Sequence, residues 1–359
     1  MDKKTRLVVI YGGKSAEHEI SLISARHIIQ AIDPNRYDII LVAIDPDGNW
    51  FLQPQPTNLE QPLTVIKENP CTLARANNKP LLLTLDHQQQ LNFDIAFPVL
   101  HGPFGEDGTI QGLLKLLAIP FVGPGVLSSA VCMDKVLCKQ IFNAAGIPHS
   151  EFVALTREQA TEAHCPQLLA KLGLPCFVKP ANMGSSVGIS KVTDANALWP
   201  ALQHALLFDQ KIIIEKEIKG REIECAVLGN QNPNASIPGE IIPSHEFYSY
   251  EAKYLDQAGA VLQIPANLTP ELTKHVQELA LQAFKALDCQ GMARVDFFID
   301  ANNKVYVNEV NTIPGFTEIS MYPKLWQASG MSYSALIDNL VTLAFEAFDH
   351  QQSLRSNYQ

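Results

Sequence analysis

The residues with most chemistry to offer lie between positions 290 and 315, in QGMARVDFFIDANNKVYVNEVNTIPG. Arg294-Val295-Asp296-Phe297-Phe298-Ile299 alternates charged and apolar residues, so a strand there projects Arg294 and Asp296 from one face and sends Val295 and Phe297 into a core. Asp300-Ala301-Asn302-Asn303 supplies a turn, and Val305 to Asn311 is a return strand that puts Glu309 and Asn311 on one face. If the two strands pair, Asp296, Glu309 and Asn311 converge. Two carboxylates and an amide form an oxygen-only set suited to a hard cation such as Mg²⁺, which keeps some waters and takes other ligands from substrate phosphates. Arg294 stands beside them as a fixed positive charge. Thr312-Ile313-Pro314-Gly315 follows as a rigid turn whose glycine lets backbone N–H groups approach a ligand. A solvated polar hairpin at a sheet edge would show the same pattern, and this stretch alone does not separate the two.

Other stretches must position that hairpin. Leu7 to Tyr11 is a short apolar run ending at Gly12-Gly13, with a helical pattern after it to about Ile32, which is an α/β opening. Gly13-Lys14-Ser15 is not a P-loop, because Val8 stands where that motif needs its first glycine, and no G-x-G-x-x-G fingerprint occurs. Glu17 sits at the helix start, just past the carboxyl end of a strand, where open α/β sheets bind ligands; a helix-dipole partner would sit there equally well. The strand Phe93 to Leu100 runs into HGPFGEDG at 101 to 108, where His101 is either a satisfied structural histidine or a ligand group. One helix is expected from about Ser128 to Ala145, carrying Lys135. Lys179 stands at the threshold of a Gly/Ser loop at 181 to 188, between two strands, which suits covering phosphates with backbone N–H groups and hydroxyls. Glu215 ends a buried strand and Glu222 begins the next; each reads also as a solvated strand end. Residues 243 to 257, PSHEFYSYEAKYLDQ, have the composition of a lid or binding loop. Helices are expected over about 270–287 and 333–348, the Gln-, Asn- and Pro-rich residues 53 to 92 read as a surface excursion, and the tail from His350 reads as disordered.

The 359 residues are 47% hydrophobic, enough for two or three domains with substantial cores. A formal net charge of −10 argues against a general nucleic-acid or anionic-membrane binder. Seven cysteines without a CxxC pair fit a reducing compartment and buried thiols, with no disulfides. The apolar stretch near the start is too short for a signal peptide, and no run of about 18 apolar residues could span a membrane, so a cytoplasmic location is expected.

Together these stretches resemble the ATP-grasp ligases and, within them, the D-alanine–D-alanine ligase family. The match covers almost the full length in the family's order: GGKSAEHEIS from Gly12, HGPFGEDG, MDK, VKPANMGSSVGISKV, IEKEIKGREIE, YEAKY, RVDFF and NEVNTIPGFTEISMYPKLW. Its departure is the segment 53 to 92, a length-variable region in such enzymes. The resemblance implies an α/β and α+β ATP-grasp fold: an N-terminal open α/β domain at 1–125, a central lid domain at 126–217 and a C-terminal catalytic domain at 218–359.

It further implies that the carboxylate of a first D-alanine attacks the γ-phosphate of ATP to give an acyl phosphate, which the amine of a second D-alanine displaces. The product is the dipeptide that feeds peptidoglycan synthesis. By the same resemblance, Asp296, Glu309 and Asn311 hold two Mg²⁺ ions, which Mn²⁺ could replace. Lys135 and Lys179 hold the α- and β-phosphates, and Lys253 reaches the γ-phosphate. Glu215 and Lys216 flank adenine, and Glu222 takes the ribose hydroxyls. Glu17 pairs with the first ammonium, with His101 near that substrate's carboxylate. Arg294 and the Gly315 N–H form an oxyanion hole, Ser320 and Met321 hold the second carboxylate, and Glu17, Ser185 and Tyr254 join across a closed lid. Relatives that use D-lactate lack the tyrosine at position 254, so its presence favours an amine acceptor. A homodimer is expected. A D-alanine–D-lactate or D-alanine–D-serine ligase would share the metal and nucleotide parts and differ in the acceptor pocket. A regulatory protein without turnover would be expected to have lost a metal ligand or Arg294, and all four are present.

Overall fold

The computed structural model describes residues 3–56, 58–243 and 260–355. Leu7 to Ile10 are wholly buried because β1 (Thr5–Gly12) lies inside a sheet covered on both faces, which is why its sequence is a continuous apolar run. After β1 come α1 (His18–Ala31), β2 (Tyr37–Ile44) and β3 (Trp50–Gln53), then β4 (Cys71–Ala76), β5 (Lys79–Thr84), β6 (Gln90–Asn92) and β7 (Ile95–Val99). The first sheet has the order β3-β2-β1-β7, with β2, β1 and β7 parallel. Within the expected surface excursion at 53 to 92, the second half folds into a small antiparallel sheet, β4-β5-β6. Asn77 and Asn78, both at positive φ, make the two-residue turn that a hairpin's twist favours, and Leu73 and Leu82 are buried in the same core as Val8 and Ile10. The Gln, Asn and Pro residues fall mostly in the stretch before β4 and in the turns.

α2 (Thr109–Leu116) precedes α3 (Val126–Met133) and α4 (Lys135–Ala145). The single helix expected from Ser128 to Ala145 is thus two. Asp134 leaves helical geometry at φ −82° and ψ 98°, and its carboxylate accepts the N–H groups of Val136 and Leu137, so it caps a new helix that starts at Lys135. α4 packs Cys138 and Phe142 into the core of the last sheet, while Val136 meets Ala181 and Ile213 of the central one.

The central sheet, β10-β9-β11-β8, is antiparallel and is formed by β8 (Phe152–Thr156), β9 (Cys176–Pro180), β10 (Ser190–Val192) and β11 (Lys211–Lys216). α5 (Cys165–Leu172) and α6 (Leu198–Ala205) cover one face of it. The last sheet contains β12 (Gly220–Gly229), β13 (Asn234–Ala235), β14 (Gly239–Pro243), β15 (Ala260–Gln263), β16 (Gly291–Asp300) and β17 (Val305–Asn311), in the order β15-β14-β12-β16-β17 with β13 beside β12. α7 (Pro270–Ala286) packs against one side of this sheet. α8 (Met321–Ala328) and α9 (Tyr333–Ser353) share a continuous core with Leu7, Val9 and α1, which joins the N-terminal sheet to the last one. α9 runs past Phe348 through His350 to Ser353, so the start of the expected disordered tail is helix. All seven cysteines are buried free thiols. Among the described residues no helix is long and apolar enough to cross a membrane.

Candidate active site

β16 and β17 pair antiparallel with Arg294 opposite Asn311 and Asp296 opposite Glu309. The register then shifts so that Phe297 faces Val307, which leaves Asn308 as an extra residue in β17. Strict alternation would send Glu309 to the same side as Val307. The bulge changes the parity, so Val307 and Val310 are both buried while Glu309 and Asn311 share a face with Asp296. The spacing of Val305, Val307 and Val310, two and then three, is its trace in the sequence. On the other side of β16, β12 places Glu224 opposite Asp296 and Glu222 opposite Phe298.

Nε and Nη2 of Arg294 donate to the two carboxylate oxygens of Asp296 at 2.7 Å each, and Nε lies 2.9 Å from Oε2 of Glu224. Burial disfavours the guanidinium's charge, but Asp296 and Glu224 outweigh it and raise its pKa well above the ordinary value. Arg294 is therefore a fixed cation. Asn311 Nδ2 donates to Asp296 at 2.9 Å, which leaves its Oδ1 for a metal. Among the described residues no three His, Cys, Asp or Glu side chains form a ready metal group. An ion here would rest on Asp296, Glu309 and the Asn311 amide, a donor set that fits a hard, oxygen-seeking cation.

A cavity of about 540 Å³ opens between the central sheet and the last sheet, lined by Lys135, Lys179, Glu215, Lys216, Glu222 and Glu309 among others. Lys135 Nζ donates to the Met183 carbonyl at 2.6 Å and so anchors the Gly/Ser loop; burial lowers its pKa despite the nearby Glu309. Lys179 Nζ lies 2.6 Å from one oxygen of Glu215, and Lys139 Nζ lies 2.7 Å from the other. Burial would raise the Glu215 pKa, but Lys139 and Lys179 together hold it well below the usual carboxylate range. Both of its oxygens are thus committed to lysines, so any contact of this strand end with a base falls to its backbone and to Lys216.

A second cavity of about 200 Å³ adjoins the first and includes Glu17, His101, Arg294, Gly315, Ser320 and Met321 in its wall. Ser185 Oγ donates to Glu17 Oε1, joining the Gly/Ser loop to the N-terminal domain. Gly102 and Gly184 permit this approach: a Cβ at either would come within 2.6 or 2.9 Å of Glu17 Oε2. Both ring nitrogens of His101 are engaged by protein. Nδ1 must donate to the Ile313 carbonyl at 3.0 Å, so Nε2 accepts from Ser24 Oγ at 3.1 Å, and Ser24 in turn accepts the Phe316 N–H. Burial lowers the His101 pKa and keeps the ring neutral. The histidine holds the turn that carries Gly315. Ser320 immediately precedes α8, accepts the Thr317 N–H at 3.0 Å, and lies where a Cβ on Gly315 would meet its Oγ at 2.7 Å.

The structure brings together fifteen of the seventeen residues singled out from the sequence; Lys253 and Tyr254 lie outside the described residues. Several others were missed. Glu106 accepts the N–H groups of Gly102 at 2.8 Å and Ile313 at 3.0 Å, tying the two loops together; burial, then the charge of Glu17, pushes its pKa up to about 8. The sequence signal was its place in the His101 loop. Glu224 was legible from its alternation with Glu222. Lys139 and Ser150 gave no signal, since a helix lysine four residues after Lys135 reads as solvated.

The chain matches two family models, described as D-ala D-ala ligase N-terminus over residues 6–124 and D-ala D-ala ligase C-terminus over residues 141–342. It is 46% identical to a D-alanine–D-alanine ligase of Oceanobacillus iheyensis over 361 aligned residues, covering 99% of both chains. It is similar to the solved structure of the D-alanine–D-alanine ligase from Coxiella burnetii, with a TM-score of 0.87, 41% identity, and coverage of 98% of this chain and 96% of that one. A D-Ala:D-Ser ligase from Enterococcus faecalis is also similar, at a TM-score of 0.83 and 36% identity, covering 95% of this chain and 100% of that one.

Proposed function

The chain belongs to the D-alanine–D-alanine ligase family, and from that premise we propose how its cleft divides the work of the reaction. The enzyme has the ATP-grasp fold and joins two D-alanine molecules at the expense of ATP, releasing ADP and phosphate through a D-alanyl phosphate. The dipeptide supplies peptidoglycan precursors for the bacterial cell wall. The observation that carries the residue assignments is that the two cavities meet at Glu309 and Asn311, beside Asp296 on the paired strand, with Arg294 in the smaller cavity and the phosphate lysines in the larger.

In the larger cavity Lys135 and Lys179 would hold the α- and β-phosphates, Lys253 the γ-phosphate, Glu222 the ribose hydroxyls, and the backbone at Glu215 and Lys216 the adenine. Two Mg²⁺ ions, or Mn²⁺ in their place, would be held by Asp296, Glu309 and Asn311 and would neutralise charge on the transferring phosphoryl oxygens. In the smaller cavity Glu17 pairs with the ammonium of the first D-alanine and leaves its carboxylate facing the nucleotide. Arg294 and the Gly315 N–H receive the oxyanion as the second amine attacks. His101 serves by holding Ile313 and Ser24, which fixes the Gly315 turn. Ser320 and Met321, at the start of α8, suit the second carboxylate because a helix N-terminus presents unpaired N–H groups. The bond from Ser185 to Glu17, joined by Tyr254, would exclude water from the acyl phosphate.

The domain limits we assign are 1–125, 126–217 and 218–359. A homodimer is supported by the exposed Leu113, Leu116 and Leu127 of α2 and α3, and a cytoplasmic site by the seven free thiols. The net charge of −10 supports action without nucleic acid or membrane. The test is product analysis by chromatography after incubation with Mg-ATP and D-alanine, alone or with D-lactate or D-serine. D-alanyl-D-alanine as the main product supports these assignments, and a mixed product in its place would overturn the acceptor pocket. Replacing Tyr254 with Phe should raise the share of D-lactate product, and an unchanged ratio would remove the tyrosine from specificity.

A further inference from the structure

Lys139 is a charged side chain with 2% exposure that lines neither cavity. It lies one helical turn beyond Lys135 on α4 and sends its Nζ to Glu215 Oε1 at 2.7 Å and to Ser150 Oγ at 3.0 Å. Ser150 accepts from Lys139 and donates to the same Glu215 oxygen at 2.9 Å. The other oxygen of Glu215 takes Lys179, whose side chain is 14% exposed and lines the larger cavity. Burying an ammonium is costly unless it is paired, and an apolar residue of the same length would be the cheaper filling for this site. The position therefore asks for a reason beyond packing.

We propose that Lys139 is a positioning residue that neutralises Glu215 and so leaves Lys179 with a net positive charge to offer a nucleotide phosphate; the inference rests on reading Lys179 as a phosphate lysine. Two ammonium groups and one carboxylate sum to one positive charge, and the only member of the three to line the larger cavity as a cation is Lys179. Without Lys139 the remaining Glu215–Lys179 pair is neutral. An incoming phosphate then meets a cation already compensated at 2.6 Å, inside a cleft where interactions between charges are strong. Ser150 keeps the geometry by bridging the ammonium and the carboxylate, so that Glu215 does not turn wholly toward Lys179.

The test uses the full chain and Mg-ADP as the probe, with the dissociation constant read by calorimetry and folding checked by thermal melting. Lys139→Met should weaken Mg-ADP by about tenfold or more and raise KM for ATP, with KM for D-alanine changed by less than about twofold. Adding Glu215→Gln to that variant removes the carboxylate that compensates Lys179 and should recover much of the lost affinity. A role in packing alone predicts the reverse, a double variant no better than Lys139→Met, and that result would overturn the proposal, as would a folded Lys139→Met that binds like wild type. Where Lys139→Met does not fold, Ser150→Ala keeps all three charges and should weaken Mg-ADP by about two- to fivefold; unchanged binding there also overturns it. Lys179→Met separates the two readings. If it binds Mg-ADP normally, the assignment of Lys179 fails and this inference with it; if it binds weakly while Lys139→Met does not, only the inference fails.

Discussion

Arg294 clasps both carboxylate oxygens of Asp296 at 2.7 Å from two positions away on the same strand, so the proposed oxyanion donor and a proposed metal ligand form one unit. Replacing Arg294 with Met should therefore do two things. It should lower kcat by about 10²–10³-fold, the usual effect of removing an oxyanion donor. It should also destabilise the fold by about 3–5 kcal/mol, because Asp296 and Glu224 lose the buried guanidinium charge that lies against both carboxylates. Steady-state kinetics beside urea unfolding would show both, and a variant slow in catalysis but fully stable would uncouple the two roles.

Chelation with EDTA should abolish ligation and added Mg²⁺ should restore it. Glu309→Gln should raise the Mg²⁺ concentration needed for half-maximal rate, by on the order of tenfold, since an amide offers a weaker hard-cation ligand than a carboxylate. An unchanged Mg²⁺ titration would remove Glu309 from the metal site.

Glu106 should leave a mark on stability against pH. Its carboxyl keeps its proton up to about 8 in the folded chain, against an ordinary 4.5. The folded state thus binds more protons between those values, and stability from this group falls as pH rises through that window. Glu106→Gln removes that slope, so its melting temperature should decline less between pH 4.5 and 8 than that of wild type. Parallel curves would mean that Glu106 titrates normally.

Ser24→Ala leaves His101 Nε2 and the Phe316 N–H without their hydroxyl partner in the core. The expected cost is about 1–3 kcal/mol in urea unfolding, the desolvation penalty of unsatisfied buried groups. KM for D-alanine should rise as the Gly315 turn loosens, and a variant with unaltered stability would show that the chain of bonds is not needed.

Much of the site could be read before the fold was known, because alternation reports which face a strand residue takes. Arg294, Asp296, Val295 and Phe297 fall where that rule sends them. Glu309 reaches the right face only through the bulge at Asn308, a change of parity that strict alternation cannot express. Asp134 was hidden for a related reason: a helical pattern runs through it, and only its side-chain cap shows that one helix ends and another begins. The sheet at β4 to β6 was missed because its strands are short and the Gln, Asn and Pro residues that mark loops crowd the stretch before it and its turns. Glu106 and Lys139 were illegible as partners because their roles depend on bonds to Ile313 and Glu215, which lie 207 and 76 residues further along the chain.

The most direct test of the reaction path follows oxygen from D-alanine labelled with ¹⁸O in its carboxylate. Attack of that carboxylate on the γ-phosphate predicts one ¹⁸O in each released phosphate, with the other retained in the peptide carbonyl. Phosphate free of label, or label carried into AMP, would contradict an acyl phosphate formed over the face of β16 and β17 that carries Arg294 and the proposed metal ligands.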